Sequence, residues 1–274
     1  MTREVDMAII TISRGSYSHG KEIANKLARK LGYRCVSREA LIRASKEFNI
    51  PEIKLEKALH DSPSVLERFT YGKQRYLAYI RTSILEFLVH DNTIYQGLAG
   101  HAFVPNVQHK LSIRICAKFE DRLKEEMERM HLDDIEKAKR LLKNDDEERR
   151  KWGFFVVGRD PYDISSYDLV YNVSKVHVDD VVDSVSYIVK LPYMKTTNES
   201  PQIMNDALLA AKCKAKIVNQ FPYSTITADK GHVSVSLQAS LSQEDKIIEN
   251  IHKILENANE VKSIKINIVP RYEA

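Results

Sequence analysis

Met7-Ala8-Ile9-Ile10-Thr11-Ile12-Ser13-Arg14-Gly15-Ser16-Tyr17-Ser18-His19-Gly20-Lys21-Glu22 is the stretch that decides the fold. Its first seven residues are largely apolar and β-branched, the composition of a buried strand, and Gly15 opens a turn. Ile23, Ala24, Leu27, Ala28 and Leu31 then recur at helical spacing, and Gly32 stands where a helix stops. Gly15 and the pair Gly20-Lys21 match G-x-x-x-x-G-K, in the strand–turn–helix setting that the pattern requires. Glycines let successive backbone N–H groups point into one concavity, the helix N-terminus adds partial positive charge, and the lysine reaches outer phosphates. Gly15, Ser16, Tyr17, Ser18, His19, Gly20, Lys21 and Glu22 are therefore the candidate phosphate-binding loop. The bland alternative is a glycine turn followed by a surface lysine; the strand before and the amphipathic helix after favour the loop. After the lysine such loops carry Ser or Thr, whose hydroxyl ligates Mg²⁺. Here Glu22 stands there, a carboxylate that can hold the metal, directly or through water, or simply favour the helix dipole.

Working outward, residues 33–36 suit a second strand, and a long helical region follows, broken near Pro51 and Pro63. Residues 93–95, 111–117 and 168–173 read as further strands. Strands alternating with helices predict an α/β fold, a three-layer domain with a parallel sheet. Residues 118–151 hold 11 basic and 12 acidic side chains among 34, with an apolar stripe of Phe119, Leu123, Met127 and Met130. A solvated helical pair and a mobile lid over an anionic ligand share that pattern. Pro192 and residues 195–201 look like a linker. Beyond it, residues 202–220 and 243–258 suit helices, 224–228 and 232–239 a hairpin around Asp229-Lys230-Gly231, and 261–269 a strand. The expected organisation is a domain over residues 1–194, with its lid at about 118–151, and a small α+β domain of order αββαβ over 200–274.

The stretch Ile10-Thr11-Ile12-Ser13-Arg14, with Ser18-His19-Gly20-Lys21-Glu22-Ile23-Ala24 and Leu27-Ala28-Arg29-Lys30-Leu31-Gly32, resembles the cytidylate kinase-like family of phosphate-loop proteins. Residues 92–104, 118–129, Asn144-Asp145-Asp146-Glu147-Glu148-Arg149 (a D-x-x-R element) and Tyr167-Asp168-Leu169-Val170-Tyr171-Asn172-Val173 continue it in order, over about residues 5–190. The resemblance implies ATP and Mg²⁺ as cofactors, a small nucleotide as substrate, and phosphoryl transfer to an acceptor such as a nucleoside monophosphate. By position it implies that Lys21, Arg122, Arg129 and Arg149 are catalytic, stabilising the phosphoryl group in flight, with Asp146 orienting an arginine or touching the acceptor. Arg122–Glu126 and Asp145–Arg149 also have the i,i+4 spacing of ordinary helix-face ion pairs. Ser37, Arg38, Arg43 and His101 are the implied acceptor-binding residues. Relatives carry G-R after the third strand, where the arginine holds the acceptor phosphate. This chain has Gln96-Gly97-Leu98-Ala99-Gly100-His101, so CMP is expected to be a poor acceptor. The alternative is a catalytically weak nucleotide-binding regulator. The C-terminal order αββαβ, with the Gly231 turn leading into Val233-Ser234-Val235-Ser236-Leu237, resembles a BON domain. That implies binding of a lipid surface, a ligand or a second subunit rather than catalysis.

Composition bounds these expectations. Lys and Arg number 42 and Asp and Glu 38, a formal charge of +4. That excess is too small to indicate nucleic-acid binding. No stretch approaches the roughly 18 apolar residues of a membrane span, and the start lacks the pattern of a signal peptide. The three cysteines, Cys35, Cys116 and Cys213, are odd in number and far apart, which points to reduced thiols and a cytoplasmic setting. No Cys/His spacing suggests zinc.

Overall fold

The computed structural model describes residues 8–16, 18–50, 72–90, 92–97, 100–256, 258 and 260–270. Tyr17, Leu98 and Ala99, and the expected helix breaks at Pro51 and Pro63, lie outside the described residues. In chain order the first part contains β1 (Ile9–Arg14), α1 (Gly20–Leu31), β2 (Arg34–Val36), α2 (Arg38–Glu47), α3 (Gly72–Leu88), β3 (Thr93–Gln96) and the one-turn α4 (Gly100–Phe103). It continues with β4 (Lys110–Cys116), α5 (Phe119–Met130), α6 (Ile135–Val157), β5 (Leu169–Asn172) and α7 (Val178–Ile188).

The five strands pair in parallel in the order β2-β3-β1-β4-β5. A parallel sheet is covered on both faces, so its strands sort side chains between two cores. Ile10 and Ile12 of β1, with Leu111, Ile113 and Ile115 of β4, pack under α1 and α7 beside Ile23, Leu27, Val181 and Val185. Ile9 enters the other core, with Ile80, Ile84 and Leu88 of α3 and with Trp152 of α6. By strand alternation Thr11 and Ser13 share that second face with Ser112 and Arg114, and Ser13 lies opposite Arg114 in the β1–β4 register. The sheet is therefore apolar throughout on one face and turns polar toward its carboxyl end on the other. In open α/β sheets, ligands bind outside the carboxyl ends of the strands.

α1 ends as its sequence requires: Gly32 adopts φ 72°, and its N–H reaches the Ala28 carbonyl. The charged helices α5 and α6 pack on each other through Leu123, Ala138 and Leu142, with Phe119, Met127 and Leu132 beside them. Met130, read as part of that stripe, is exposed.

After the linker come α8 (Ser200–Ile217), β6 (Thr225–Asp229), β7 (His232–Ala239), α9 (Glu244–Leu255) and β8 (Ser263–Pro270). They form a separate sheet of order β6-β7-β8, antiparallel at the hairpin and parallel between β7 and β8. α8 serves two cores. Met204, Leu208 and Ala211 join the core of the first part, while Leu209, Cys213 and Ile217 join Val233, Val235, Ile251 and Leu255 in the second.

Candidate active site

The loop after β1 is held from beneath by backbone. Gly15 N–H donates to the Ile115 carbonyl at 3.1 Å, and the buried Ser18 hydroxyl reaches the carbonyls of Gly15 at 3.0 Å and Ile115 at 3.2 Å. His19 enters α1 in the left-handed conformation, φ 54°, and its side chain caps no backbone N–H of that helix. A Cβ on Gly20 would lie 2.5 Å from Cδ and 2.9 Å from Cβ of Arg14, so glycine permits the close return of the loop onto β1. Lys21 is exposed on the first turn of α1. Glu22 faces His19 Nδ1 and Lys26 Nζ, each at 3.1 Å.

The charged helices close over this loop. Arg122 of α5 donates to both oxygens of Asp146 at 2.9 and 2.8 Å and to the Ser16 carbonyl at 3.4 Å. Burial opposes the Arg122 charge, but the Asp146 hydrogen bond and charge outweigh it and hold the guanidinium above its ordinary value. Asp145 accepts from the Ser16 hydroxyl and, at 3.0 Å, from Arg149 Nε. His19 Nε2 meets Glu125 of α5 at 2.5 Å. Three links thus tie α5 and α6 to the loop, through Ser16 and His19.

The structure brings Arg122, Asp146 and Arg149 to the phosphate loop. Arg129 is not among them: it pairs with Glu126 at 3.1 Å along its own helix, and its side chain is half exposed. Ser37, Arg38 and Arg43 sit at β2 and α2, the far edge of the sheet. There the Ser37 N–H donates to Glu39 at 2.8 Å and Arg43 pairs with Glu86 at 2.7 Å. Of the four expected acceptor residues, only His101 lines the cleft beside the loop. Its Nδ1 stands 3.4 Å from the Ser13 hydroxyl and its ring lies 4.7 Å from that of Tyr167. Burial, with help from Lys110 and Arg114, pushes its pKa down to about 4.

Arg14, Arg114, Trp152, Tyr162 and Tyr167 also line this cleft, and sequence reasoning gave them no role. Arg114 carried a usable signal, since a charge in the middle of the apolar run Leu111-Ser112-Ile113-Arg114-Ile115 is out of place in a central strand. The tyrosines belong to a loop, and no spacing brings them to β4.

No group of three or more acidic, His or Cys side chains among the described residues is arranged to hold a metal. Glu22 is the carboxylate nearest in sequence to Lys21, and its present partners, His19 and Lys26, are exposed or partly exposed side chains that a cation and its phosphates can displace. Glu22 is one hard oxygen ligand, and a cation beside it would take its remaining ligands from phosphate and water.

A parallel sheet, a glycine-bounded loop at the carboxyl end of its central strand and two charged helices packed against that loop define a phosphate-loop protein of the kinase type. The chain belongs to the cytidylate kinase-like family, whose model matches residues 9–175. An uncharacterized protein from Eubacterium ventriosum is similar in structure, with 20% identity and a TM-score of 0.50, the match covering 66% of this chain and 98% of that one. A shikimate kinase from Bacteroides thetaiotaomicron matches at 10% identity and a TM-score of 0.43, covering 68% and 99% of the two chains. A dephospho-CoA kinase from Campylobacter jejuni matches at 18% identity and 0.37, covering 66% and 97%. These likenesses are of fold. No curated protein shows significant similarity to the chain.

Proposed function

We propose that the protein transfers the terminal phosphoryl group of ATP to a small acceptor of the nucleoside monophosphate kind. The observation that carries this is that Arg122 and Asp145, the partner of Arg149, reach Ser16 in the same glycine-bounded loop that ends in Lys21. Phosphoryl transfer asks little covalent chemistry of a protein; positioning and charge stabilisation supply most of the rate. The Gly15 N–H is engaged by the Ile115 carbonyl, so the amides from Ser16 to Lys21 are the ones we assign to the β- and γ-phosphates, and Lys21 adds charge-assisted hydrogen bonds. Asp146 aims Arg122 at the loop, and Arg122 and Arg149 stabilise charge on the moving group once it draws them from Asp146 and Asp145. Mg²⁺, when bound, neutralises charge between the outer phosphates, and Glu22 is the residue we assign to it. Reduced thiols at Cys35, Cys116 and Cys213 suit a cytoplasmic setting.

Lys21→Ala tests the proposal. ADP release with a panel of acceptors should fall by about 10- to 150-fold, the range for one lost charge-assisted hydrogen bond, in a protein that still folds. Unchanged ATP affinity and turnover would remove the core of the claim.

A nucleotide-binding regulator is the second reading, favoured by one observation. The phosphate loop and its arginine are engaged by carboxylates, Ser16 with Asp145 and Arg122 with Asp146. ATP binding without ADP release in the wild-type protein, whatever the acceptor, would select it. For residues 200–274 we propose a BON-like binding module that contributes no catalytic group.

A further inference from the structure

Arg114 sits in the second strand of the central pair and is only 6% exposed. Among the described residues its side chain has no hydrogen bond or ion pair; its guanidinium instead lies 4.5 Å from the ring centroid of Tyr162 and 5.6 Å from that of Tyr167. A buried cation without a counter-charge is costly, and charges kept in that state are rare outside sites that use them. The carboxylate that feels Arg114, Asp160, is already taken by two hydrogen bonds from Arg150, at 2.9 and 2.5 Å, and by the Tyr162 N–H at 3.0 Å. Arg114 lines a narrow cleft beside Gly15, together with Arg14 and Arg149; the cleft has a free volume of about 20 Å³ and must widen to admit a ring. His101 presents there an Nε2 that is buried and has no partner among the described residues. Tyr162, Tyr167 and Trp152 give the cleft an aromatic lining as well.

We propose that this cleft is the acceptor subsite, in which Arg114 binds an oxyanion of the acceptor, a phosphate monoester or a carboxylate, and Tyr162 and Tyr167 flank its ring. The proposal rests on the phosphoryl-transfer reading for the word acceptor, but the subsite itself is tested without turnover. It gives the acceptor anion an arginine supplied by β4. The tyrosines serve both partners: their faces partly offset the Arg114 charge before a ligand enters, and they stack on a planar ligand once the cleft has widened. With its pKa near 4, His101 stays neutral at physiological pH and offers the ligand a hydrogen bond instead of a fixed charge.

Trp152 is the only tryptophan of the chain and lines the cleft, so its fluorescence reports occupancy. The probes are phenyl phosphate, benzoate and, as a neutral control, phenol, titrated into the full chain. We expect a saturable Trp152 response to at least one anionic probe below about 10 mM, and none to phenol. Phenyl phosphate responding alone assigns the site to phosphate monoesters, and benzoate responding alone to carboxylates. Arg114→Met keeps length and removes the charge. It should weaken the responding probe by about 10- to 150-fold while leaving unfolding temperature unchanged or raised, because a buried unpaired charge has gone. Arg114→Lys should recover part of the affinity. Lys21→Ala should leave probe binding within about threefold of wild type, since the phosphate loop is a separate subsite. The proposal is overturned by no response to either anion, by equal affinity in Arg114→Met, or by a response lost with Lys21 instead. Probe binding that depends on Arg114 in a protein without ADP release would leave the subsite standing and sink the kinase reading.

Discussion

His101 shows how a single buried side chain couples the site to stability. A histidine in an unfolded chain titrates near 6.5, whereas burial beside Lys110 and Arg114 places His101 at about 4. Above pH 6.5 neither state is protonated and the residue makes no difference. As pH falls from 6.5 toward 4 the unfolded chain takes up a proton that the folded one refuses, so stability drops, by up to about 3 kcal/mol at the lower end. His101→Phe should flatten that part of the pH dependence, read as urea midpoints at pH 7.5 and 5. Parallel curves for the two proteins would refute the buried neutral state. Glu22 is tested at the same scale. If its carboxylate serves the metal, Glu22→Ala shifts the Mg²⁺ dependence of ADP release to higher concentration; an identical profile would leave it as a helix-terminus charge held by Lys26 and His19.

Among the elements, α6 does two jobs. Its middle supplies Asp145, Asp146 and Arg149 to the loop, and its last turns carry Trp152 into the core and Gly153 against Pro161. A Cβ on Gly153 would lie within 2.6 to 2.8 Å of three Pro161 atoms, so any side chain there pushes away the segment bearing Tyr162. Gly153→Ala should cost about 1–3 kcal/mol in denaturant, as overpacking does. A neutral result would mean that the segment yields freely. The same helix pair holds few apolar residues beyond its small core around Leu123 and Leu142, and its grip on the loop is ionic. On the proposed phosphoryl-transfer reading, ATP with an acceptor replaces the Asp146–Arg122 and Asp145–Ser16 contacts by phosphate contacts. Hydrogen exchange across α5 and α6 should then slow, and unchanged protection at saturating ligand would make them a solvated face only.

For the whole molecule, α8 decides how separable the two parts are. Proteolysis near residues 195–199 should cut the chain, but Met204, Leu208 and Ala211 remain packed against the core that contains α3. The two pieces should therefore co-elute after cleavage. Clean separation into two folded fragments would show that α8 contributes little to the first core. A chain ending at residue 194 should be less stable than the full protein while keeping every residue we assign to phosphate binding. Turnover lost in such a chain while it remains folded would place part of the site in the second sheet.

Legibility followed the range of the interactions. The strand from Ile9, the loop to Lys21, the Gly32 stop and the Asp229-Lys230-Gly231 hairpin rest on neighbours within a few residues, and the sequence alone determined them. The parallel α/β class followed from the alternation of those signals. Which charges meet the loop was not local. Arg122 and Arg129 stand on one helix with similar neighbours, yet the first is drawn to Asp146 beside Ser16 and the second stays with Glu126, because only the packing of α5 on α6 decides which face turns inward. Arg43 finds Glu86 at the sheet edge, away from the cleft. Arg114 and Tyr162 are 48 positions apart and meet only because strand register sets one and the loop beyond α6 carries the other. The sequence by itself marked Gly15 to Lys21 as the candidate phosphate loop between a strand and a helix; the tertiary structure decided which arginines and rings surround that place, since long-range packing, with no periodic trace in the chain, puts them there.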